Sequence, residues 1–399
     1  MNSGDIDKGR PVWARPDLFP EAPPETWGYL AADQKAEILP GVDALRAVIE
    51  QDVQESIGLV WTPHHTHMEV PEAVPELQSA LLASRAEASN RQWQRHNKNL
   101  RMGLVLLCGF WGYMLYEIMQ SVSGLSLGNA VRSFLRTPLP AVGLLFFFMF
   151  WLMPWYDARK RWREVQAWTA ETMREAADLA RFEVWLSWQK IISTKVLMGV
   201  IALTGAVQVL SGHPMAAALI RGGDERWRLL TAPLLHGHPL HFMMNAMGLM
   251  YLGRRIEALA RWPQVPIVFL FSAWLGGECS MMMGKGTSLG ASGGLMGMLG
   301  FLLVFETRHA QLVPRSARRR LMAALLGTAL IGVIGIRFID NAAHAGGLVA
   351  GMVYAFVVFP RSSSVVRPQP SVVDRVAGWS CFGTIAMGSW WAIRAMMGW

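Results

Sequence analysis

Residues 290–300 read Gly-Ala-Ser-Gly-Gly-Leu-Met-Gly-Met-Leu-Gly, and residues 340–351 read Asp-Asn-Ala-Ala-His-Ala-Gly-Gly-Leu-Val-Ala-Gly. Each opens an apolar run close to the twenty or so residues that a bilayer requires. Gly293, Gly297 and Gly300 recur at helical spacing in the first run, Gly347 and Gly351 in the second. Small residues so spaced let two helix backbones approach closely. A third stretch, His236-Gly-His-Pro-Leu-His-Phe-Met-Met-Asn245, leads into another apolar run, with His241 and Asn245 four apart and so on one helix face.

The whole chain agrees with a membrane reading. Of its 399 residues 52% are hydrophobic and 17% charged, against about 25% charged in ordinary soluble domains. Intrinsic disorder and a disulfide-stapled secreted scaffold are excluded. Cys108, Cys279 and Cys381 each fall inside an apolar stretch and form no CxxC framework. The net charge of +8 is spread over short clusters, Arg159-Lys160-Arg161, Arg254-Arg255 and Arg318-Arg319-Arg320. Clusters at the ends of spans fix topology, so no nucleic-acid partner is expected.

The fold class expected is an all-α polytopic membrane protein with a small soluble N-terminal domain. Spans are expected at about 102–120, 138–156, 191–211, 239–253, 264–283, 291–307, 320–337, 341–359 and 376–396. With the N-terminus inside, the loops 157–190, 254–263, 308–319 and 360–375 hold most of the loop Lys and Arg, as the positive-inside rule requires. Residues 1–100 form the soluble part, with helix-like patterns near 45–60 and 77–100 and no secretory leader. They are read as a cytoplasmic module for regulation or partner binding. The imidazoles of His64-His65-Thr66-His67 are metal-ligand types, but they stand on a proline-flanked loop without a nearby Cys and read as a polar surface turn. In 157–190, Trp162, Val165, Met173, Ala176, Leu179, Phe182 and Leu186 recur at helical spacing among charged residues. That suits an amphipathic linker helix at the membrane surface or against the soluble domain.

Polar and ionisable residues inside spans are functional candidates. In this topology the His236–Asn245, Gly290–Gly294 and Asp340–Gly347 clusters all lie at the outer ends of their helices, although the orientation came from Arg and Lys alone. Together they supply what acyl transfer to water requires. A Ser hydroxyl needs an adjacent base, and His344 is an imidazole on another helix from Ser292. A tetrahedral oxyanion needs preorganised donors, for which Asn245, His241 and the Ser292 N–H are placed. Each signal taken singly is weak, because a Ser in a glycine-rich span is usually a packing residue. The triple His236, His238, His241 suggests zinc as a rival, but no HExxH occurs.

These patterns, GxSG at 290–293, HxxxxHxxxN at 236–245 and AHxGGxxxG at 343–351, resemble those of the rhomboid intramembrane serine proteases in their order and spans. The stretch Glu225-Arg-Trp-Arg-Leu-Leu-Thr-Ala-Pro-Leu-Leu-His236 belongs to the same match, which covers about 191–360, less than half of the chain. The resemblance implies a six-helix catalytic core there, extended by two helices in 101–156 and by a linker and one more helix in 361–399. It implies Ser292 as nucleophile and His344 as base, without a carboxylate third member. His241 and Asn245 are implied as oxyanion-hole side chains, and Ala291 as a further backbone donor. Gly290 and Gly293 support the nucleophile, His236 holds the site and its water, and Trp227-Arg228 belongs to a membrane-inserted loop that supports the fold. No cofactor or metal is implied. Substrates would be transmembrane-helix proteins in the lipid bilayer, cut near their outer ends, and a bacterial inner membrane is the location expected. One departure is Met296, where the family commonly has an aromatic ring against the imidazole; a thioether still makes a favourable ring contact. The alternatives are a catalytically inactive rhomboid-like binder of membrane clients and, on other grounds, a transporter or channel whose polar residues line a path.

Overall fold

The computed structural model describes residues 9–121, 125–283, 286–336 and 339–398. Residues 1–8 of the expected soluble part and the last position of the expected 320–337 span lie outside them. The chain is a mostly helical polytopic membrane protein that forms two compact units.

One unit comprises residues 15–181 and 327–339. It opens with an antiparallel sheet of β1 (Trp27–Ala31), β2 (Ala36–Leu39) and β3 (Ile57–Trp61), in the order β2-β1-β3. The sheet lies beside the helical expectation rather than within it. It also corrects the helix expected near 45–60, where helix α1 stops at Gln51 (Val42–Gln51) and a strand follows. The reason is local. The Asp52 carboxylate accepts the N–H groups of Ser56 (2.8 Å) and Ile57 (3.0 Å), a turn that competes with further helix. The β-branched and aromatic run that follows then pairs with β1. Leu45 and Ile49 of α1 pack on Ile57, Val60, Val74, Leu77 and Leu81, and Met173 joins this core from the amphipathic linker.

Helix α2 (Gln78–Ser121) is a single 44-residue element, about 66 Å long at 1.5 Å per residue. It unites the soluble helix and the first span, which were expected separately, because no proline interrupts 78–121. The division expected at residue 100 therefore falls inside a helix. After the short α3 (Leu127–Arg136), α4 runs over Leu139–Gln166 with a π-helical segment at Phe148–Leu152. Gly103 and Gly143 let it close on α2. A Cβ on Gly103 would lie 2.6 Å from Trp151 Cδ1, and one on Gly143 2.8 Å from Trp111 Nε1. Trp93 and Trp162 stack between the same two helices at 4.8 Å. The expected linker is thus divided: Trp162 and Val165 end α4, and a second helix, α5 (Ala170–Ser187), follows a break at 167–169.

The other unit comprises residues 1–14, 182–326 and 340–399. It holds α6 (Ile192–Leu210), α7 (Pro239–Ala260), α8 (Gln264–Met282), α9 (Ser292–Arg308), most of α10 (Arg315–Ile334), α11 (Asn341–Val358) and α12 (Val372–Met397). Among the described residues, five helical stretches are long and apolar enough to cross a membrane on their own: Pro75–Ser121, Leu139–Gln166, Ile192–Leu210, Gln264–Met282 and Asn341–Val358. Helices α7, α9, α10 and α12 overlap the remaining expected spans, but they are not among these five.

α9 is the centre of this unit, packed by α7, α8 and α11, with most of its residues from Gly293 to Glu306 buried. Two carboxylates fix its surroundings. Glu257 on α7 accepts the first N–H groups of α6, Ser193 and Thr194, each at 2.9 Å. Glu306 on α9 takes a forked hydrogen bond from Arg255 at 2.8 to 3.0 Å, with both side chains fully shielded. Arg255 is therefore not a loop charge that sets topology, contrary to its reading within the Arg254-Arg255 cluster. α12 closes on α6 through Thr204 Oγ1 and Ser389 Oγ (2.7 Å).

Candidate active site

The segment that delivers Ser292 is held on both sides. Strand β4 (Leu219–Arg221) pairs antiparallel with β5 (Gly286–Ser288), and just beyond β5 the Gly290 N–H donates to Ala232 O at 2.9 Å. Gly290 has φ +125°, in the region that L side chains avoid, and a Cβ there would meet His241 Cε1 at 2.6 Å and Nε2 at 2.9 Å. Two independent reasons thus require glycine. The chain then enters α9 with Ala291 as its cap and Ser292 as its first residue. Helix-start N–H groups have no intrahelical partner and carry the positive end of the helix dipole.

His344 stands in the first turn of α11. Asp340 caps that helix, its carboxylate accepting the Ala343 N–H at 3.0 Å. The same carboxylate accepts hydroxyls from Ser280 on α8 and from Ser288 on β5, the latter at 2.5 Å. Asp340 thereby ties the start of the His344 helix to the strand that leads to Ser292.

The two helices meet at their glycines. A Cβ on Gly347 would overlap Gly293 O, one on Gly351 would overlap Gly297 O, and one on Gly300 would overlap Leu348 O. This contact, expected from the spacing, brings His344 Nε2 to 2.8 Å from Ser292 Oγ. Both side chains are half-buried, while Ala291 and Gly293 beside Ser292 are buried. Met296, one turn further along α9, is also buried.

On the other side of Gly290 stand His241 and Asn245, from successive turns of α7. Asn245 Nδ2 lies 3.0 Å from His236 Nε2, with the amide orientation set by that contact. The His236 ring also meets the His241 ring edge-on at 5.2 Å. The His236 backbone N–H donates to Gln208 Oε1 on α6 at 2.9 Å. All of the expected site residues, His236, His241, Asn245, Gly290, Ala291, Ser292, Gly293 and His344, are therefore brought into one neighbourhood. Trp227 packs against the buried cluster that includes Ala217, Ala218 and Leu235. Arg228 lies over the Trp227 ring and donates to Ala216 O and Ala218 O, the latter at 2.9 Å, which latches the loop before α7.

Sequence reasoning missed two ties, those of Asp340 and of Gln208. The first had a visible signal, an Asp directly before an apolar helical run, which is a favoured N-cap. The second had none, since a Gln in an apolar helix announces no partner.

Comparison with known proteins bears on this arrangement. The family profile described as the Rhomboid domain matches residues 223–361. RHOMBOID-like protein 6, mitochondrial, of Arabidopsis thaliana is 32% identical over 144 residues, 36% of this chain and 47% of that protein. Rhomboid protease GluP of Bacillus subtilis is 28% identical over 127 residues, 32% of this chain and 25% of that protein. Inactive rhomboid protein 1 of Bos taurus is 29% identical over 140 residues, 34% of this chain and 16% of that protein. In each case the match spans less than half of the relative's length. With plant, bacterial and mammalian relatives, one of them named mitochondrial, the expected bacterial inner membrane receives no support. Residues 223–361 of the chain thus match a Rhomboid domain, and the similarity to rhomboid proteins is confined to that part.

Proposed function

We propose that the chain is an intramembrane serine endopeptidase that cuts transmembrane-helix substrates near their outer ends. The observation that carries this is the 2.8 Å approach of His344 Nε2 to Ser292 Oγ, between helices whose contact leaves no room for a methyl group. A Ser hydroxyl is a poor nucleophile until a base takes its proton, and an imidazole at this distance is within reach of it.

In this reading His344 takes the Ser292 proton, Ser292 attacks the scissile carbonyl, and His344 returns the proton to the leaving amine. Water activated by His344 then releases the acyl group. The oxyanion forms where the N–H groups at the start of α9 converge with Asn245 and His241, so the helix dipole and two side chains act on one charge. An amide nitrogen has two hydrogens, and Asn245 uses one toward His236, which leaves the other for the oxyanion. The substrate helix must unwind locally, because an intact helix engages its own carbonyls, and residues of low helix propensity near the cut favour this. The N-terminus faces the cytoplasm by the distribution of loop Arg and Lys, and residues 1–100 form a regulatory or partner-binding module.

A second reading, an inactive binder of membrane proteins, is favoured by Met296 and by the likeness to inactive rhomboid protein 1. Labelling with a fluorophosphonate separates the two. A competent dyad gives a covalent adduct on Ser292 that is lost in His344→Ala; an inactive binder gives no adduct in the native chain.

A further inference from the structure

Helix α12 (Val372–Met397) lies beyond the matched domain, which ends at residue 361, yet it belongs to the same compact unit as Ser292. Its buried residues Ile385, Gly388, Ser389, Ala392 and Met396 follow one helix face. On the other face Met387 and Trp390 are 44% and 55% exposed. Ala392 and Met396 are fully buried in a cluster with Ala217, Ala218 and Leu235, and Val207 and Leu289 pack against it. Three of these neighbours stand directly before groups that hold the site. Val207 precedes Gln208, whose side chain accepts the His236 N–H. Leu235 precedes His236 itself, and Leu289 precedes Gly290, which faces His241.

Two further contacts fix how closely α12 approaches. Thr204 Oγ1, one turn before Gln208 on α6, lies 2.7 Å from Ser389 Oγ. A hydroxyl has one hydrogen, and that of Thr204 goes to Val200 O at 2.8 Å, so Ser389 is the donor. Gly388 lies against the backbone of Leu230, where a Cβ would come within 2.8 Å of the carbonyl oxygen. One face of α12 therefore backs α6, the segment that leads to His236 and the segment that leads to Gly290. In a close-packed interior such backing is felt by the side chains in front of it.

We propose that α12 is a positioning element of the active site, with Met396 holding Leu235 and Leu289 so that His236 and Gly290 keep their places beside Asn245 and His241. This rests on the serine-protease reading and adds to that site a helix from outside the matched domain. Removing the Met396 side chain leaves a cavity behind both segments. The oxyanion donors then lose their alignment, while the other contacts to the substrate helix remain.

The test is steady-state cleavage of a single-span substrate in proteoliposomes by the full-length chain. Met396→Ala is expected to lower kcat by about 10-fold to 10²-fold with KM little changed, the scale of a small misplacement. Met396→Leu keeps most of the volume and should recover most of the rate. Met387→Ala, on the exposed face, should leave the rate unchanged. In the Asn245→Ala background, Met396→Ala should cost less than about twofold more, because both act through the same donors. A helix that only stabilises the fold gives multiplied losses there. If Met396→Ala does not fold, Ser389→Ala, which removes one hydroxyl and keeps the packing, gives the same comparisons. Equal rates for Met396→Ala and Met387→Ala, or multiplied losses with Asn245→Ala, would overturn the proposal alone. A native chain that neither cuts nor forms the fluorophosphonate adduct on Ser292 would overturn the protease reading and the proposal together.

Discussion

Ser292 and His344 are 52 positions apart in the sequence, yet their side chains meet at 2.8 Å because Gly347 and Gly351 lie against the backbone of Gly293 and Gly297. The hydrogen bond is set by backbone approach, so it depends on residues that carry no functional group.

Gly351→Ala places a methyl group onto Gly297 O, and overpacking of this kind destabilises by about 1–3 kcal/mol. The thermal unfolding midpoint in detergent should fall, and cleavage should fall with it. Gly109→Ala on α2 is the opposite case, since its Cβ meets nothing within 4 Å. There the gain in helix propensity should leave stability unchanged or raise it by up to about 1 kcal/mol.

Asp340→Ala removes the cap of the His344 helix and its ties to Ser280 and Ser288. Loss of a cap costs about 0.5–2 kcal/mol. The expected kinetic result is a lower kcat with KM little changed, because the base loses its position and not its substrate contact. Asp340→Asn keeps an acceptor for Ala343 N–H and should recover most of the loss.

Asn245→Ala should lower kcat by about 10²–10³, the usual effect of removing one oxyanion donor. His236 touches Asn245 and acts through it, so His236→Ala should have a smaller effect. The double variant should be no worse than Asn245→Ala, because two residues in one network do not add. Steady-state cleavage of the four forms checks this.

The Arg255–Glu306 pair is fully buried. Breaking it from one side, with Arg255→Met or Glu306→Gln, should destabilise by about 3–5 kcal/mol by leaving an unpaired buried group. Replacing both, Arg255→Met with Glu306→Leu, should cost less than either single change. Unfolding of the three variants in one detergent decides the matter.

The membrane helices and the approach of Ser292 to His344 were legible because both rest on periodic signals. Apolar length marks a span, and glycines at helical spacing mark the face where α9 meets α11. Polar residues stand out against such a background, which is how His241, Asn245, Ser292 and His344 could be picked from the sequence. The N-terminal sheet was less legible. Leu45 and Ile49 have helical spacing, but the change of period after Asp52 is a matter of one carboxylate and two N–H groups. The length of α2 was hidden for the opposite reason, since a change from polar to apolar composition at residue 102 suggests a boundary where the backbone has none. Arg255 was misread because an arginine pair at the end of an apolar run is usually a surface anchor, and its partner Glu306 lies 51 positions away.

The central claim is that Ser292 and His344 form a working dyad. It is tested most directly by cleavage of a labelled single-span substrate in proteoliposomes, with the native chain beside Ser292→Ala. The expected result is product from the native chain alone, cut near the outer end of the substrate helix. Absence of product from both, with both folded and holding the substrate, would contradict the claim and favour the inactive client binder.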